Sequence, residues 1–422
     1  MRMTLLRALA AALLACHCAG VATAAPAKPI AQRSTTASAA APVMTTGLDA
    51  EARLIHIYQR IGAGQSRQAL LLADKLVADY PNFALAQLVH GDLLHAQSHA
   101  LRAVGDVPEA TARAAAPGTL GELREEALQR LKALRERPPV GMVPSQFVRL
   151  SERNKHAIAV DASRSRLYLL ENSAAGPRVV ADYYISVGKL GIEKTIEGDQ
   201  RTPLGIYFIT SSVDRKLLKD FYGAGALPIN YPNPYDLRRG KTGGGIWLHG
   251  VPAQQFARAP RATDGCVALS NPDLKTLLSA VEIRSTPVVI APSLQWVSPA
   301  QSQGEQRSFD DVWKQWLSAK NSGDITRTLA YYTHDFNSYG KTLQDWGGVL
   351  QTEITLNKGR TVAIKDQSVL HWAESAQSAT MVVTFSEVRA GNNTGNTKRQ
   401  YWLRSPTATG GQWKIFFEGT IG

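Results

Sequence analysis

Cys266 follows Gly265 and lies 17 positions beyond His249, which is itself followed by Gly250. A thiol is mostly protonated at neutral pH, so a cysteine nucleophile needs a base and a favourable local field. Histidine is the residue type that takes a thiol proton and later returns it to a leaving amine. Gly265 permits a tight turn that presents the sulfur, and the N–H groups of Gly265 and Cys266 can converge on a developing oxyanion. The small Gly250 leaves room beside the imidazole. These residue types at this spacing point to acyl transfer through a cysteine. The bland alternative is an inert core cysteine near an unrelated histidine.

Where the chain works bears on that choice. Its cysteines are Cys16, Cys18 and Cys266. Met1-Arg2 and Arg7 precede an apolar run from Ala8 to Ala19, and Ala22-Thr23-Ala24 offers a small-x-small cleavage site, so residues 1–24 read as a secretory signal peptide. Its removal leaves Cys266 as a single thiol in an oxidising compartment, where disulfides come in pairs. The stretch Leu13-Leu14-Ala15-Cys16 also resembles a lipoprotein cleavage box, with Cys16 as the lipidated anchor. No later run approaches the roughly 18 apolar residues of a membrane span. The net charge of +12 favours an anionic partner. Export and the scattered basic residues exclude nucleic acid, leaving a carboxylate-rich wall polymer or an anionic membrane surface; solubility alone explains the charge equally well.

The elements that must position these residues follow from periodicity. A chain of 422 residues with 44% hydrophobic content allows two or three domains. Residues 25–47, rich in Ala, Pro, Ser and Thr, read as a disordered spacer. Residues 48–137 are helical, with Leu54, Ile57, Ile61, Leu70 and Leu76 at three- and four-residue steps. Gly64, Ala69, Pro81, Ala84 and Gly91 stand at the offsets of a tetratricopeptide-type (TPR-like) helix pair, where small residues allow close packing. That suggests a partner-binding or homodimerising module, with a plain helical spacer as the alternative. His95 and His99, four apart, suit a shared metal only if a third ligand exists, and none is evident, so an exposed polar face is expected. Residues 150–292 switch to a period of two and read as a mainly β domain. Its expected helix runs from Asn271 to about Val281, with Asn271 as N-cap and Pro272 in the first turn. Residues 293–308 read as a polar linker. Residues 309–422 place Phe309, Val312, Trp313 and Trp316 on one helix face and continue as strands, an α+β cone.

Several of these stretches carry a resemblance. Thr263-Asp264-Gly265-Cys266, His249-Gly250, "RTPLGIYFI" from Arg201 and "KTGGGIWLHG" from Lys241 resemble the L,D-transpeptidase catalytic domain (YkuD) family over about residues 155–292. The layout is similar to the three-domain cell-shape L,D-carboxypeptidases, with an N-terminal helical region and an NTF2-like C-terminal cone. The resemblance implies that Cys266 attacks the carbonyl after an L-centre of a peptidoglycan stem peptide and releases the following D-amino acid. It further implies that His249 is proton donor and acceptor, that the Gly250 carbonyl orients its ring, and that Gly265 N–H serves the oxyanion. No metal or organic cofactor is implied, and the implied location is the periplasm. One departure stands out: crosslinking members commonly carry Arg two positions after the cysteine, where this chain has Ala268. Arg201, Arg258 and Arg261 are the cations placed to compensate, and Tyr231, Thr263 and Asp264 are further candidates for substrate contact. Three functions remain open: a transferase making 3-3 crosslinks or attaching protein to the wall, a hydrolase trimming stems or cutting a protein-to-wall link, and a non-catalytic wall-binding module. For the C-terminal cone a wall-binding pocket, a scaffold and a second active site all remain.

Overall fold

A computed structural model describes residues 48–106, 118–357, 362–374, 378–389, 391–392, 394–404 and 411–421. The signal peptide 1–24, the Cys16 lipidation box and the spacer 25–47 lie outside the described residues. The chain divides into two compact units, residues 1–112 and 113–422.

The first unit holds the helices Leu48–Gly62, Ser66–Asp79 and Ala84–His95. Leu54, Ile57, Ala69, Leu76, Leu85 and Val89 are buried, which is the apolar stripe the three- and four-residue spacing demands. Gly91 differs from expectation: a Cβ there would meet nothing within 4 Å, so close packing does not require a glycine. The region 48–137 is also not one body. Its last helix, Thr119–Arg135, belongs to the second unit. The reason is visible in its contacts: Arg130 lies 3.9 Å over the Tyr184 ring, and Glu125 accepts from Arg261 at 2.9 Å.

The second unit opens with short strands Val143–Pro144 and Phe147–Arg149 and then builds the catalytic sheet. Its strand order is Gly205–Phe208, Pro287–Ala291, His156–Asp161, Arg166–Ser173, Gly176–Gly188, Val267–Leu269, Trp247–His249, Gly225–Pro228 and Val213–Asp214. Most neighbours are antiparallel; Pro287–Ala291 beside His156–Asp161 and Val267–Leu269 beside Trp247–His249 are parallel. Ile158, Val160, Leu167, Ile185, Leu248 and Val267 form the core against Leu274 and Leu277 of the helix Asn271–Ala280. That helix is capped by Ser270, whose hydroxyl accepts from Asp273 N–H, and not by Asn271 as expected.

The C-terminal sheet is antiparallel in the order Trp413–Thr420, Asn396–Arg404, Ala379–Arg389, Val362–Ala373 and Phe147–Arg149. Its last strand therefore comes from before the catalytic sheet. Val143–Pro144 also pairs with Trp296–Val297, inside the expected linker 293–308. That linker becomes helical at Pro299, in the helix Pro299–Ser322, because Ser298 and Gln301 form a capping box and Pro299 fits the first turn. Phe309, Trp313 and Trp316 are buried against Phe385 and Trp402 under the curved sheet. Arg399 ties the two sheets together: its guanidinium lies over Phe208 and donates to Arg284 O at 3.4 Å. Among the described residues no helix is long and apolar enough to cross a membrane.

Candidate active site

Two neighbouring strands bring the cysteine and histidine together. Val267 is paired with Leu248 and Ala268 with His249, so Cys266 emerges where the strand Val267–Leu269 begins. The turn before it is held by hydroxyls. Thr263 Oγ1 donates to Cys266 O at 2.7 Å and accepts from Gly265 N–H at 3.2 Å, while Thr202 Oγ1 donates to Gly265 O at 3.0 Å. Gly265 has φ +124, and a Cβ there would fall 2.8 Å from Arg201 O, so only glycine fits. The half-buried sulfur is gripped by backbone: its S–H donates to Gly245 O at 3.5 Å, and Trp247 N–H donates to it.

His249 is fully buried, with Nδ1 2.6 Å from Gly250 O. A carbonyl oxygen only accepts, so the hydrogen sits on Nδ1 and Nε2 presents its lone pair. Nε2 has no hydrogen-bond partner. Tyr222 meets the imidazole edge-on at 5.2 Å between centroids and Phe221 lies at 5.8 Å. Asn271 braces this corner: its Oδ1 accepts from Ala224 N–H at 2.8 Å and Val251 N–H at 3.3 Å, and its Nδ2 donates to Val251 O at 2.8 Å. A Cβ on Gly250 would come 2.2 Å from Asn271 Oδ1. The small size of Gly250 thus serves Asn271 and not, as expected, the imidazole.

The electrostatics favour an uncharged resting pair. Burial pushes the Cys266 thiol above its ordinary value, against the opposing N–H of Trp247 and the charges of Arg258 and Lys194. Burial also lowers His249 to about 4, opposed by the Gly250 carbonyl and reinforced by Arg258. Neither group stores a charge at rest, so a thiolate at this site would have to form by proton transfer as it reacts.

The other expected residues are placed unevenly. Arg258 bears in charge on both Cys266 and His249. Its guanidinium rests 4.2 Å over the Phe221 ring and makes one long hydrogen bond, 3.5 Å, to Phe221 O. Its own carbonyl is fixed by Tyr184 OH at 2.9 Å. Arg261 is held by Glu125, and Arg201 donates to Ile192 O at 3.0 Å. Asp264 pairs with Lys189 at 2.9 Å on the exposed rim. Tyr231 departs from the expected substrate contact: it is buried, and its hydroxyl donates to Thr242 O at 3.1 Å, which fixes the loop behind the site. Thr263 is buried and shapes the turn. Sequence reading missed Asn271 as a brace, and it missed Thr202, Trp247 N–H and the Phe221–Tyr222 wall. His95 and His99 stack at 4.6 Å, and no cluster of three metal-ligating side chains occurs among the described residues.

Comparison with known proteins assigns families to two stretches of the chain, the first of which contains this site. Residues 155–290 match the L,D-transpeptidase catalytic domain, and residues 309–419 match the Cds6 C-terminal NTF2-like domain. Among solved structures, that of Bdellovibrio bacteriovorus Bd1075 superposes with a TM-score of 0.54 at 22% identity, covering 66% of this chain and 98% of that one. The helical cell shape determining protein Pgp2 from Campylobacter jejuni gives 0.49 at 19% identity, covering 71% of this chain and 100% of the other. No curated protein sequence matches this chain.

Proposed function

We propose that this chain, whose residues 155–290 are an L,D-transpeptidase catalytic domain and whose residues 309–419 are an NTF2-like domain of the Cds6 type, trims peptidoglycan stem peptides as an L,D-carboxypeptidase. The observation that carries the reading is the open lone pair of His249 Nε2, with the other nitrogen committed to Gly250 O, on the strand beside Cys266. In the proposed cycle the Cys266 sulfur attacks the carbonyl that follows an L-centre while its proton passes to Nε2. The oxyanion role rests on Cys266 N–H, because Gly265 N–H is already given to Thr263. His249 returns the proton to the departing D-amino acid, leaving a thioester. Water then attacks with His249 again taking the proton, and the shortened stem leaves.

One feature favours water over an amine as acceptor. Ala268 is buried between Ser186 and His249, so no cation reaches the acceptor side from that position. Arg258 has no carboxylate within ion-pair distance among the described residues, and it suits the terminal carboxylate of the leaving residue, which marks attack at a stem's free end. A buried charged hydrogen bond of this kind is worth roughly 1.5–3 kcal/mol. Substrate of this class places the protein in the periplasm, in keeping with the signal peptide read at residues 1–24. Incubation with disaccharide tetrapeptide and mass analysis of the products tests the reading. Tripeptide and free D-amino acid are expected. Dimers joined between two third-position residues would instead establish the transferase.

A further inference from the structure

A cleft of about 710 Å³ runs between the catalytic sheet and the C-terminal sheet. Its walls are the loop at Glu193 to Thr195, the two connecting stretches at Ser145–Gln146 and Gln295–Gln301, and the sheet end at Trp372. The size falls in the range of small-ligand sites, roughly 300–1,000 Å³.

The lysines and the arginine that line it are already paired. Lys194 pairs with Asp199 at 2.8 Å, Lys241 with Asp236 at 2.9 Å, and Arg239 with Glu374 across the cleft. Asp199 is raised by burial but overcome by Lys194 and the N–H groups of Thr195, Ile196 and Arg201, which hold it down to about 2. The lysine and arginine charges are thus spent on protein carboxylates. An anionic occupant such as the carboxylate-bearing stem itself finds no free cation there. Besides the exposed Glu193 carboxylate and His371, the walls carry neutral polar groups: the amides of Gln146, Gln295 and Gln301, the hydroxyls of Ser145 and Thr195, and the half-buried indole of Trp372. Gln146 Oε1 is buried without a partner. Amides and hydroxyls satisfy sugar hydroxyls and acetamido groups, and an indole offers a flat apolar face to a pyranose ring.

We propose that this cleft binds the glycan strand of the substrate, as an N-acetylated amino sugar. The identity of that glycan rests on the stem-peptide reading above. The cleft wall is two hydrogen bonds from the reacting turn: Lys194 N–H donates to Thr202 O at 3.3 Å, and Thr202 Oγ1 donates to Gly265 O at 3.0 Å. Three extended stem residues span at most about 10–11 Å. A sugar held in the cleft would send its stem along this wall toward Cys266.

The test uses the full chain and chitotetraose, a stem-free N-acetylglucosamine oligomer, with saturation-transfer NMR as the readout. Transfer to the sugar is expected in the unaltered protein. It should be lost in Gln295→Trp, which fills the cleft from an exposed position, and weakened in Trp372→Ala. In kinetics, Gln295→Trp should raise KM for disaccharide tetrapeptide by about tenfold, close to 1.4 kcal/mol, with kcat unchanged. Hydrolysis of the free tetrapeptide should not change. No saturation transfer, transfer that survives both substitutions, or an equal rise in KM for the free tetrapeptide overturns the proposal. Sugar binding lost in both variants, in a protein that turns over neither substrate, sustains the cleft and removes the stem-peptide reaction.

Discussion

The catalytic sheet and the C-terminal sheet each bury ionisable groups, and they treat charge in opposite ways. Cys266 and His249 have no counter-charge in contact, so burial pushes the thiol up and the imidazole down to about 4, and both are neutral. Under the C-terminal sheet, Lys398 reaches Glu353 at 2.7 Å, Glu387 at 3.1 Å and Glu418 at 3.4 Å, while Lys320 also reaches Glu353 at 3.1 Å. Burial opposes charge there as well, but the carboxylates outweigh it and raise Lys398 well above the ordinary lysine value. Tyr332 OH and Gln400 Nε2 complete the cluster by donating to Glu418 at 2.6 and 3.0 Å. Burial without partners yields a proton-transfer pair, whereas burial with partners yields a fixed ionic cluster. The lesson is that the partners, not the depth, decide whether a buried group is free to exchange a proton.

The largest effect should come from the neutral pair. Cys266→Ala is expected to abolish turnover with the melting temperature little changed, because a half-buried loop thiol contributes modestly to stability. Residual conversion of tetrapeptide by the folded variant would remove the covalent route. His249→Ala should lower the acylation rate by about 10²–10⁴, since base and acid functions go together. Unchanged alkylation and turnover would show that another group carries the proton.

On the ionic side, Lys398→Met should cost about 3–5 kcal/mol of stability by leaving Glu353, Glu387 and Glu418 without their shared cation. Chemical denaturation measures it. A loss below about 1 kcal/mol would mean that the cluster is not the scaffold claimed here. The sign with pH follows from the direction of the shift. Lys398 is raised in the folded state, so its contribution is complete below the ordinary lysine pKa and vanishes only in strong alkali.

His249 behaves the other way. Its folded value is depressed, so the neutral imidazole's contribution is complete above about 6.5 and is lost as pH falls through about 4. The difference amounts to roughly 3 kcal/mol. Stability of the native chain should therefore fall faster with acid over that window than stability of His249→Gln, as followed by urea melts at several pH values. Parallel slopes would contradict a buried neutral imidazole. The smallest effect concerns the thiol alone: iodoacetamide should modify Cys266 with a midpoint above the ordinary thiol value, about 8.5. A midpoint near neutrality would indicate a stored thiolate instead.

The candidate pair Cys266 and His249 could be picked out from the sequence because its signal is local in type: a glycine-cysteine turn and a histidine-glycine strand end. The helix faces of Phe309, Trp313 and Trp316 were legible for a similar reason, since a 3.6-residue period needs no tertiary knowledge. What escaped depends on distant partners. Asn271 before Pro272 reads as an N-cap, but Ser270 takes that role and leaves the amide free to brace Ala224 and Val251. Tyr231 stands in a loop rich in Pro and Asn, where exposure is the natural expectation, and only the fold shows Thr242 O waiting for its hydroxyl. The start at Pro299 was present in Ser298-Pro299-Ala300-Gln301, a capping box hidden by the polar residues around it. Phe147–Arg149 is too short to carry a period at all.

That three-residue strand has a consequence for how the molecule is made. Phe147 pairs with Leu370 and Arg149 with Val369, so the edge of the C-terminal sheet leaves the ribosome long before the strands it must join. The catalytic sheet is thereby an insertion within another domain's chain, and its two ends are stitched together by Val143–Pro144 against Trp296–Val297. Such long-range closure is slow, and a sheet waiting for its edge exposes unpaired backbone. Synthesis halted before the final strand Trp413–Thr420 should leave Phe147–Arg149 accessible to protease while residues 155–290 are already resistant. A polypeptide cut back to residues 309–422 would lack a strand it did not itself encode, and its exposed sheet edge would invite association with its own copies.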